Sequence, residues 1–462
     1  MNAKQSAGAN GGARDSAPGR ANNGGYGTAL GGSLMGGADA DGQNGGQPVS
    51  KKEIAVLREL AKQYAQIAAL PVMEKTRRRM IENNGLTPGR PPVVLFELPW
   101  HELNADGKLT LVCEHPFARE MEQRFRRTLF QWEYFPGDLL VENAFLIPRA
   151  YMSTGNGMSV VEQQRVTDEN NNIYSHGYID QLETEADLEK FQMPDVTAYP
   201  ERDRANVALA EEILDGILRV GLRGHDIYHA PWDQIARYRS VTAILFDLYD
   251  RPEHLHAIME LYTRAAISEF EQMERLGLLE YRNPYLHCTP ALTDDLPAKD
   301  HVAGEAPRFA DVWFRSMAQM FAEVSPAMHE EFDLLYGKRL ADRCALTYYG
   351  CCEPLQTKIP ILKKTFPNLR KIGVTPWADE ERSAELIGRD FVYARKPNPA
   401  NVAVAADADV IRAETAKTAE ICLKYGCPYE LVLKDISTVS YRLENLVIWE
   451  RTVRETLDRF YA

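Results

Sequence analysis

Nine short apolar runs, most of them separated by amphipathic stretches, constrain this chain more than any other feature. They are "PPVVLFEL" (91–98), "LLVENAFLIP" (139–148), "GILRVGL" (216–222), "GLLEYRNPYLHC" (277–288), "DVWFRS" (311–316), "CALTYYGC" (344–351), "LRKIGVTP" (369–376), "DFVYARKP" (390–397) and "ELVLKDIS" (430–437). Helical periodicity fills much of the space between them, for example over 252–276, 326–341, 378–388 and 408–425. Strands that are apolar along their whole length are buried on both faces, as in a parallel sheet covered by helices. The pattern predicts an α/β fold of the (β/α)8 TIM-barrel type, an architecture that runs from about 250 to over 400 residues. Nine candidates for eight places put one outside the barrel. A doubly wound open sheet is the alternative, but no glycine-rich phosphate loop follows the first strand.

Around this repeat the chain divides into three parts. Residues 1–50 hold 14 of the 31 glycines and few large apolar residues, so they are expected to form a disordered tail. "SKKEIAVLRELAKQYAQIAAL" and "EKTRRRMIENNGL" read as two helices filling 51–90, the second ended by Gly85. The barrel is expected over 91–462, with a β-rich insertion near 150–200 that interrupts the rhythm and would shape the mouth. The 462 residues carry a net charge of −13, which argues against nucleic acid or an anionic membrane as partner. No apolar stretch approaches the ~20 residues of a membrane span, and the first fifty have no apolar segment. A cytoplasmic setting with reduced thiols is therefore expected for the seven cysteines.

In a parallel barrel the chemistry sits where strands end. Those ends supply Glu97, Trp100 and His101; His229 and Asp233; His287 and Cys288; Cys351, Cys352 and Glu353; Trp377 and Asp379; Lys396; and Lys434 with Asp435. Histidine and cysteine drawn from different strands suit zinc, so Cys351, Cys352, His287 and Cys288 are the metal candidates. Each pair of neighbours meets a parity limit, since successive side chains on a strand face opposite ways. Both members can face inward only where the chain has already turned, as Gly350 permits. Without a metal, the same cysteines would be small apolar fillers. Glu353 and Asp435 are the candidate catalytic carboxylates. Glu97, Trp100, His229, Trp377, Lys396 and Lys434 are the candidates for substrate binding, the lysines for an anionic group. Asp379 also fits a plain N-cap. Cys113, Cys344, Cys422 and Cys427 read as packing.

The runs "SPAMHEEFDLLYGKRLAD", "YYGCCEPL", "IGVTPWAD" and "KPNPA" resemble the uroporphyrinogen decarboxylase superfamily, nearest its corrinoid-dependent (methylcobamide:thiol) methyltransferase branch. The resemblance spans about residue 90 to the end and is strongest over 309–440. It implies a (β/α)8 barrel. For the methyltransferase branch it implies zinc held by a His-x-Cys pair and a distant cysteine, and a corrinoid carried by a partner protein. Laid on this chain, the His-x-Cys pair falls on Tyr349-Gly350-Cys351, with tyrosine in place of histidine. Cys352, Glu353, His287 or Cys288 would then have to complete the site. The decarboxylase branch grips tetrapyrrole carboxylates with an arginine-rich motif after the first strand, where this chain reads "LFELPWHEL". Three readings follow: a zinc-dependent methyltransferase, a metal-free decarboxylase or lyase whose carboxylates would be held by Lys396, Lys434 and Arg395, and a non-catalytic corrinoid-binding barrel.

Overall fold

The computed structural model describes residues 48–165 and 175–461, so the expected tail lies outside the described residues up to position 47. The first helix, Lys51–Ala68, begins where Ser50 accepts the Glu53 N–H while Glu53 reaches back to Ser50, a capping box that satisfies otherwise orphaned donors. Proline opens the helices Pro71–Asn84, Pro116–Tyr134, Pro200–Leu214 and Pro252–Arg275, at the position where a missing N–H costs nothing. Asp379 does cap Glu380–Ile387 by accepting the Arg382 N–H. The two N-terminal helices share a core with Pro116–Tyr134 and Pro200–Leu214, built on Leu57, Tyr64, Phe125 and Phe145.

Seven strands form the central sheet: β1 (Val93–Leu95), β2 (Ile227–His229), β3 (Trp313–Ser316), β4 (Leu346–Tyr349), β5 (Leu369–Val374), β6 (Val392–Arg395) and β7 (Tyr429–Leu433). Their spatial order is β1-β7-β6-β5-β4-β3-β2, and every neighbouring pair is parallel. Sequence neighbours are thus spatial neighbours and the first strand returns onto the last, as in a barrel. The expected eight-stranded closure is not reached, because the ladder stays open between β1 and β2.

The physical reason lies in residues 138–140. Asp138 accepts the Val93 N–H on its carboxylate (2.8 Å), and the Leu140 N–H donates to the Tyr285 hydroxyl (2.7 Å). One backbone bond, Asp138 N–H to Val93 O (2.6 Å), joins this run to β1, and beside it the side-chain bonds take groups that a longer ladder would need. The regular part of that run, Ala144–Pro148, pairs instead with Arg219–Arg223 in a separate parallel ribbon. Two expected barrel strands therefore leave the sheet together, and β2 comes from "DIYHAPWD". Over 150–200 the chain forms two small antiparallel pairings, Tyr151–Ser153 with Val196–Ala198 and Glu162–Arg165 with Ser175–Tyr178. Among the described residues no helix is long and apolar enough to cross a membrane.

The fourth expected strand is a hairpin, Tyr285–Leu286 against Thr289–Pro290. Trp313 of β3 donates its indole N–H to Ala291 O (3.0 Å) at the hairpin base. Lys371 of β5 donates to Thr289 Oγ1 (2.7 Å) and Pro290 O (2.8 Å) while pairing with Glu430 of β7 (2.6 Å). Beyond the end of β6, Lys396 donates to Cys288 O (2.8 Å). These contacts from four strands carry the hairpin up the inside of the curled sheet, with its tip at the strand ends.

Lys371 and Glu430 are both fully buried, and burial pushes the Lys371 ammonium down to about 8. Removing one partner strands the other charge, so Lys371→Met is expected to cost about 3–5 kcal/mol. The double variant Lys371→Met/Glu430→Leu should recover most of that loss. Denaturant midpoints of the three proteins measure it.

Candidate functional site

His287 and Cys288 are the two turn residues of the lumen hairpin, and Cys288 has φ 59°. The left-handed turn removes the strand alternation, so both side chains can address one centre. Cys351 arrives the same way: β4 ends at Tyr349 and Gly350 turns the chain at φ 99°. An added Cβ at Gly350 would lie 2.4 Å from Leu355 Cδ1 and 3.3 Å from the Gly373 nitrogen. Only glycine fits there. Glu97 and Asp435, which follow β1 and β7, are also left-handed at φ 51° and 56°. Such conformations cost roughly 1–3 kcal/mol each for a non-glycine residue. Three of them border a single cluster.

Within it, His287, Cys288 and Cys351 offer one nitrogen and two sulfurs, all within 4.8 Å of one another. Lys434 Nζ donates to Cys351 Sγ (3.1 Å), Cys352 Sγ (3.3 Å) and Asp435 Oδ2 (2.7 Å). The Cys352 thiol donates to Asp435 Oδ2 (3.0 Å) and lies 3.7 Å from the Cys351 sulfur. The Cys288 thiol donates to Glu97 Oε1 (3.4 Å), and Glu97 Oε2 accepts the Asp435 N–H (2.9 Å).

The electrostatics single out one sulfur. Hydrogen bonds from Cys288 and Cys352, with help from Lys434 and His287, hold the Cys351 thiol well below its ordinary range despite burial. Burial and the bond to Cys351 push Cys288 well above it, and the same bond followed by burial raises Cys352. Of the three sulfurs, Cys351 is thus the one whose thiolate form the surroundings favour. Burial raises the Glu97 carboxyl against the pull of Lys434. Burial acts against Lys434 too, yet Cys351, Cys288 and Glu97 hold its pKa well above the usual lysine value.

Not every residue expected at the mouth joins this cluster. Glu353 is fully buried and accepts the N–H groups of Cys351 (2.9 Å) and Ala318 (3.2 Å), which positions the Cys351 backbone. Lys396 braces the hairpin tip from within. Arg395 faces the helices, paired with Glu380 and Glu414. Trp377 is 69% exposed, and Trp100 packs edge-on against Phe130 beneath the Arg127 guanidinium. His229 points outward against Tyr262 and Phe314. Tyr349, two residues before Cys351, also faces outward. It accepts from His329 Nε2 and donates to Asp333 Oδ2, both at 2.6 Å.

Two lumen residues escaped the strand-end reading. Arg315 is buried, lies 4.0 Å over the Tyr348 ring and donates to His287 O (3.4 Å). Tyr228 meets the His287 ring edge-on. Two-residue alternation points to both, since Arg315 follows Trp313 by two and Tyr228 precedes outward-facing His229. Asp233, bonded by Gln319 (3.0 Å), is raised to about 7 by burial and by Glu353.

Two predictions follow from these placements. Gly350→Ala should lose at least about 1 kcal/mol from its positive φ alone and show altered Cys351 reactivity in thiol labelling. The second concerns His229, whose Nε2 has no hydrogen-bond partner and whose pKa burial lowers from 6.5 to about 4. Between those values the unfolded chain binds a proton that the folded one does not, so stability falls as pH drops from about 6.5 to about 4. The loss is on the order of 3 kcal/mol at 1.36 kcal/mol per unit. His229→Gln should flatten that limb in urea titrations across pH.

No protein-family model and no curated protein matches this sequence. Among solved structures, a methyltransferase from Methanosarcina mazei is similar over 84% of this chain and 99% of that chain, at 13% identity and a TM-score of 0.41.

Proposed function

We propose that this chain is a zinc-dependent methyltransferase that moves a methyl group from a corrinoid, carried on a partner protein, to a thiol acceptor. The observation that carries the proposal is the convergence of His287, Cys288 and Cys351 within 4.8 Å. The motif resemblance of residues 325–400 supplies the reaction class. One nitrogen and two sulfurs form a borderline-soft donor set of the kind zinc prefers, and three protein ligands leave a fourth position for substrate. His287 takes the part that the family's motif histidine, here Tyr349, does not play. When bound, zinc would lower the pKa of the acceptor thiol enough to make it a thiolate near neutrality.

The protein's own groups manage the charge and protons. Cys288 has Glu97 Oε1 within reach of its S–H, and burial raises that carboxyl, so Glu97 is suited to take the proton Cys288 releases on ligation. Asp435 Oδ2 accepts the Cys352 S–H, but despite burial Lys434 holds that carboxyl below its ordinary range, so it orients the thiol and is not suited to take its proton. Lys434 keeps an ammonium against the sulfurs and offsets thiolate charge that burial would otherwise disfavour. Arg315 and Lys396 fix the His287 and Cys288 carbonyls and so set the direction of both side chains. Glu353 does the same for Cys351 through its N–H. Lys396 and Lys434 are already engaged by protein acceptors, which weighs against the carboxylate-gripping role a lyase would need.

Elemental analysis of protein purified without added metal tests the site, and methyl transfer from methylcobalamin to small thiols tests the reaction. Wild type should hold about one zinc per chain, and Cys351→Ser or Cys288→Ser should lose it. Methyl transfer should drop at least about 100-fold in either variant, the upper range for loss of even a supporting partner. A metal-free wild type that decarboxylates a carboxylated substrate would overturn the proposal.

A further inference from the structure

The loop after β1 separates the cysteine cluster from a second concavity. Glu97 belongs to the cluster, whereas Leu98, Trp100, His101 and Asn104 line a groove of about 430 Å³ against the helix Pro116–Tyr134. That helix contributes Gln123, Arg126 and Arg127, whose i, i+3, i+4 spacing places them on one face. Arg126 commits Nε to Glu122 (2.7 Å) and one amino group to Lys108 O (2.9 Å), leaving its other amino group. Arg127 lies over the Trp100 ring at 5.1 Å and has no carboxylate partner among the described residues. Burial alone lowers its pKa, with no nearby acid to oppose the shift. The Gln123 amide is likewise without a hydrogen bond among the described residues. Asn104, by contrast, is satisfied by Thr110 and the Leu109 N–H.

The helical wall therefore offers a planar cation without a carboxylate partner among the described residues, a spare amino group and an amide. In a chain of net charge −13, such a concentration of unmet donors is unexpected on a plain solvated surface. Two adjacent guanidinium groups match the oxygens of a tetrahedral oxyanion, and stacking on an indole holds one of them flat for that purpose. The groove also falls at the small end of ligand-pocket volumes, about 300–1,000 Å³, and so has room for more than a bare ion. We propose that it is a binding site for the phosphate group of a small organic ligand, held by Arg127, Arg126 and Gln123. This site is independent of the zinc reading.

The loop between the two sites is tied at both ends. Glu97 meets Cys288 and Asp435, while the Glu102 carboxylate accepts from Thr438 Oγ1 (2.7 Å) and the Val439 N–H (2.7 Å) beyond β7. A ligand in the groove thus sits one short loop from the cysteine cluster.

Isothermal titration of the full-length protein with inorganic phosphate and with phenyl phosphate, at low and high salt, tests the proposal. Saturable binding that weakens with ionic strength is expected. Arg127→Gln should weaken it at least about tenfold, as loss of a charge-assisted bond predicts. Arg127→Lys should fall in between, because it keeps the charge and loses the fork. Cys351→Ser should bind like wild type, which separates failure here from failure of the metal site. Tighter binding of phenyl phosphate assigns the organic ester, and equal affinities assign the free ion. Absence of saturation in wild type, or equal affinity in a folded Arg127→Gln, overturns the site. If Arg127→Gln does not fold, Gln123→Ala provides the same comparison.

Discussion

The hairpin held inside the sheet is the constraint on which the rest of this structure depends. Strand and helix alternate as in a barrel, yet the lumen is not filled by strand side chains alone. Leu286 packs into the layer formed by Trp313, Leu346, Tyr348 and Ala394. A chain segment inside a barrel must satisfy its own backbone, because water is excluded. Lys371, Lys396, Arg315 and the Trp313 indole supply those bonds. Each buried cation would be unfavourable alone. Around a backbone rich in carbonyls they become the fastening, and they place His287 and Cys288 at the end of the lumen where Cys351 arrives.

That fastening also shapes the chemistry. Arg315 and Lys396 donate to carbonyls and have no ion pair among the described residues, so no carboxylate in direct contact offsets either charge. At an effective dielectric near 20, unit charges about 4 Å apart interact by roughly 4 kcal/mol. That is comparable with the several kcal/mol lost on burying an ion. A thiolate at Cys351 is therefore favoured only because several cations and thiol donors act together. Removing solvent from the same site pushes Glu97 in the opposite direction, toward the protonated form. One environment thus separates a sulfur that gives up its proton from a carboxyl that can keep one.

Much of this was legible in the sequence. The helices over 51–68, 252–275 and 408–425, and β1 and β3 to β7, follow from periodicity and β-branched runs. Cys351, Cys352, His287 and Cys288 read as candidates for one centre from their residue types and strand-end positions. What the sequence did not disclose was the pairing. "LLVENAFLIP" reads as a strand, and part of it is one, but Asp138 and Tyr285 decide that it leaves the sheet. "GLLEYRNPYLHC" reads as a wall strand, but its two turn residues make it a hairpin, and a hairpin needs no second parallel neighbour. Inward parity was readable in "WFRS" and "YELVLK", where Arg315, Glu430 and Lys434 lie on the lumen face. Looking only at strand ends passed over the first two.

The last residue of β4 shows why parity matters. Tyr349 faces the helices, where His329 and Asp333 hold its hydroxyl. No residue at that position on a regular strand could face the same centre as Cys351 unless the strand turned before it, and here the turn comes one residue later, at Gly350. The histidine that does stand beside Cys351 comes instead from the hairpin tip, which approaches from inside. The tip takes φ 59° at Cys288, and the seat of Cys351 requires φ 99° at Gly350 and no side chain at Gly373, where an added Cβ would lie 2.8 Å from the Gly350 carbonyl carbon. Strain at the tip and the two facing glycines are thus one requirement expressed at three positions. A change at any of them acts on the distance between His287 and Cys351 without touching either side chain.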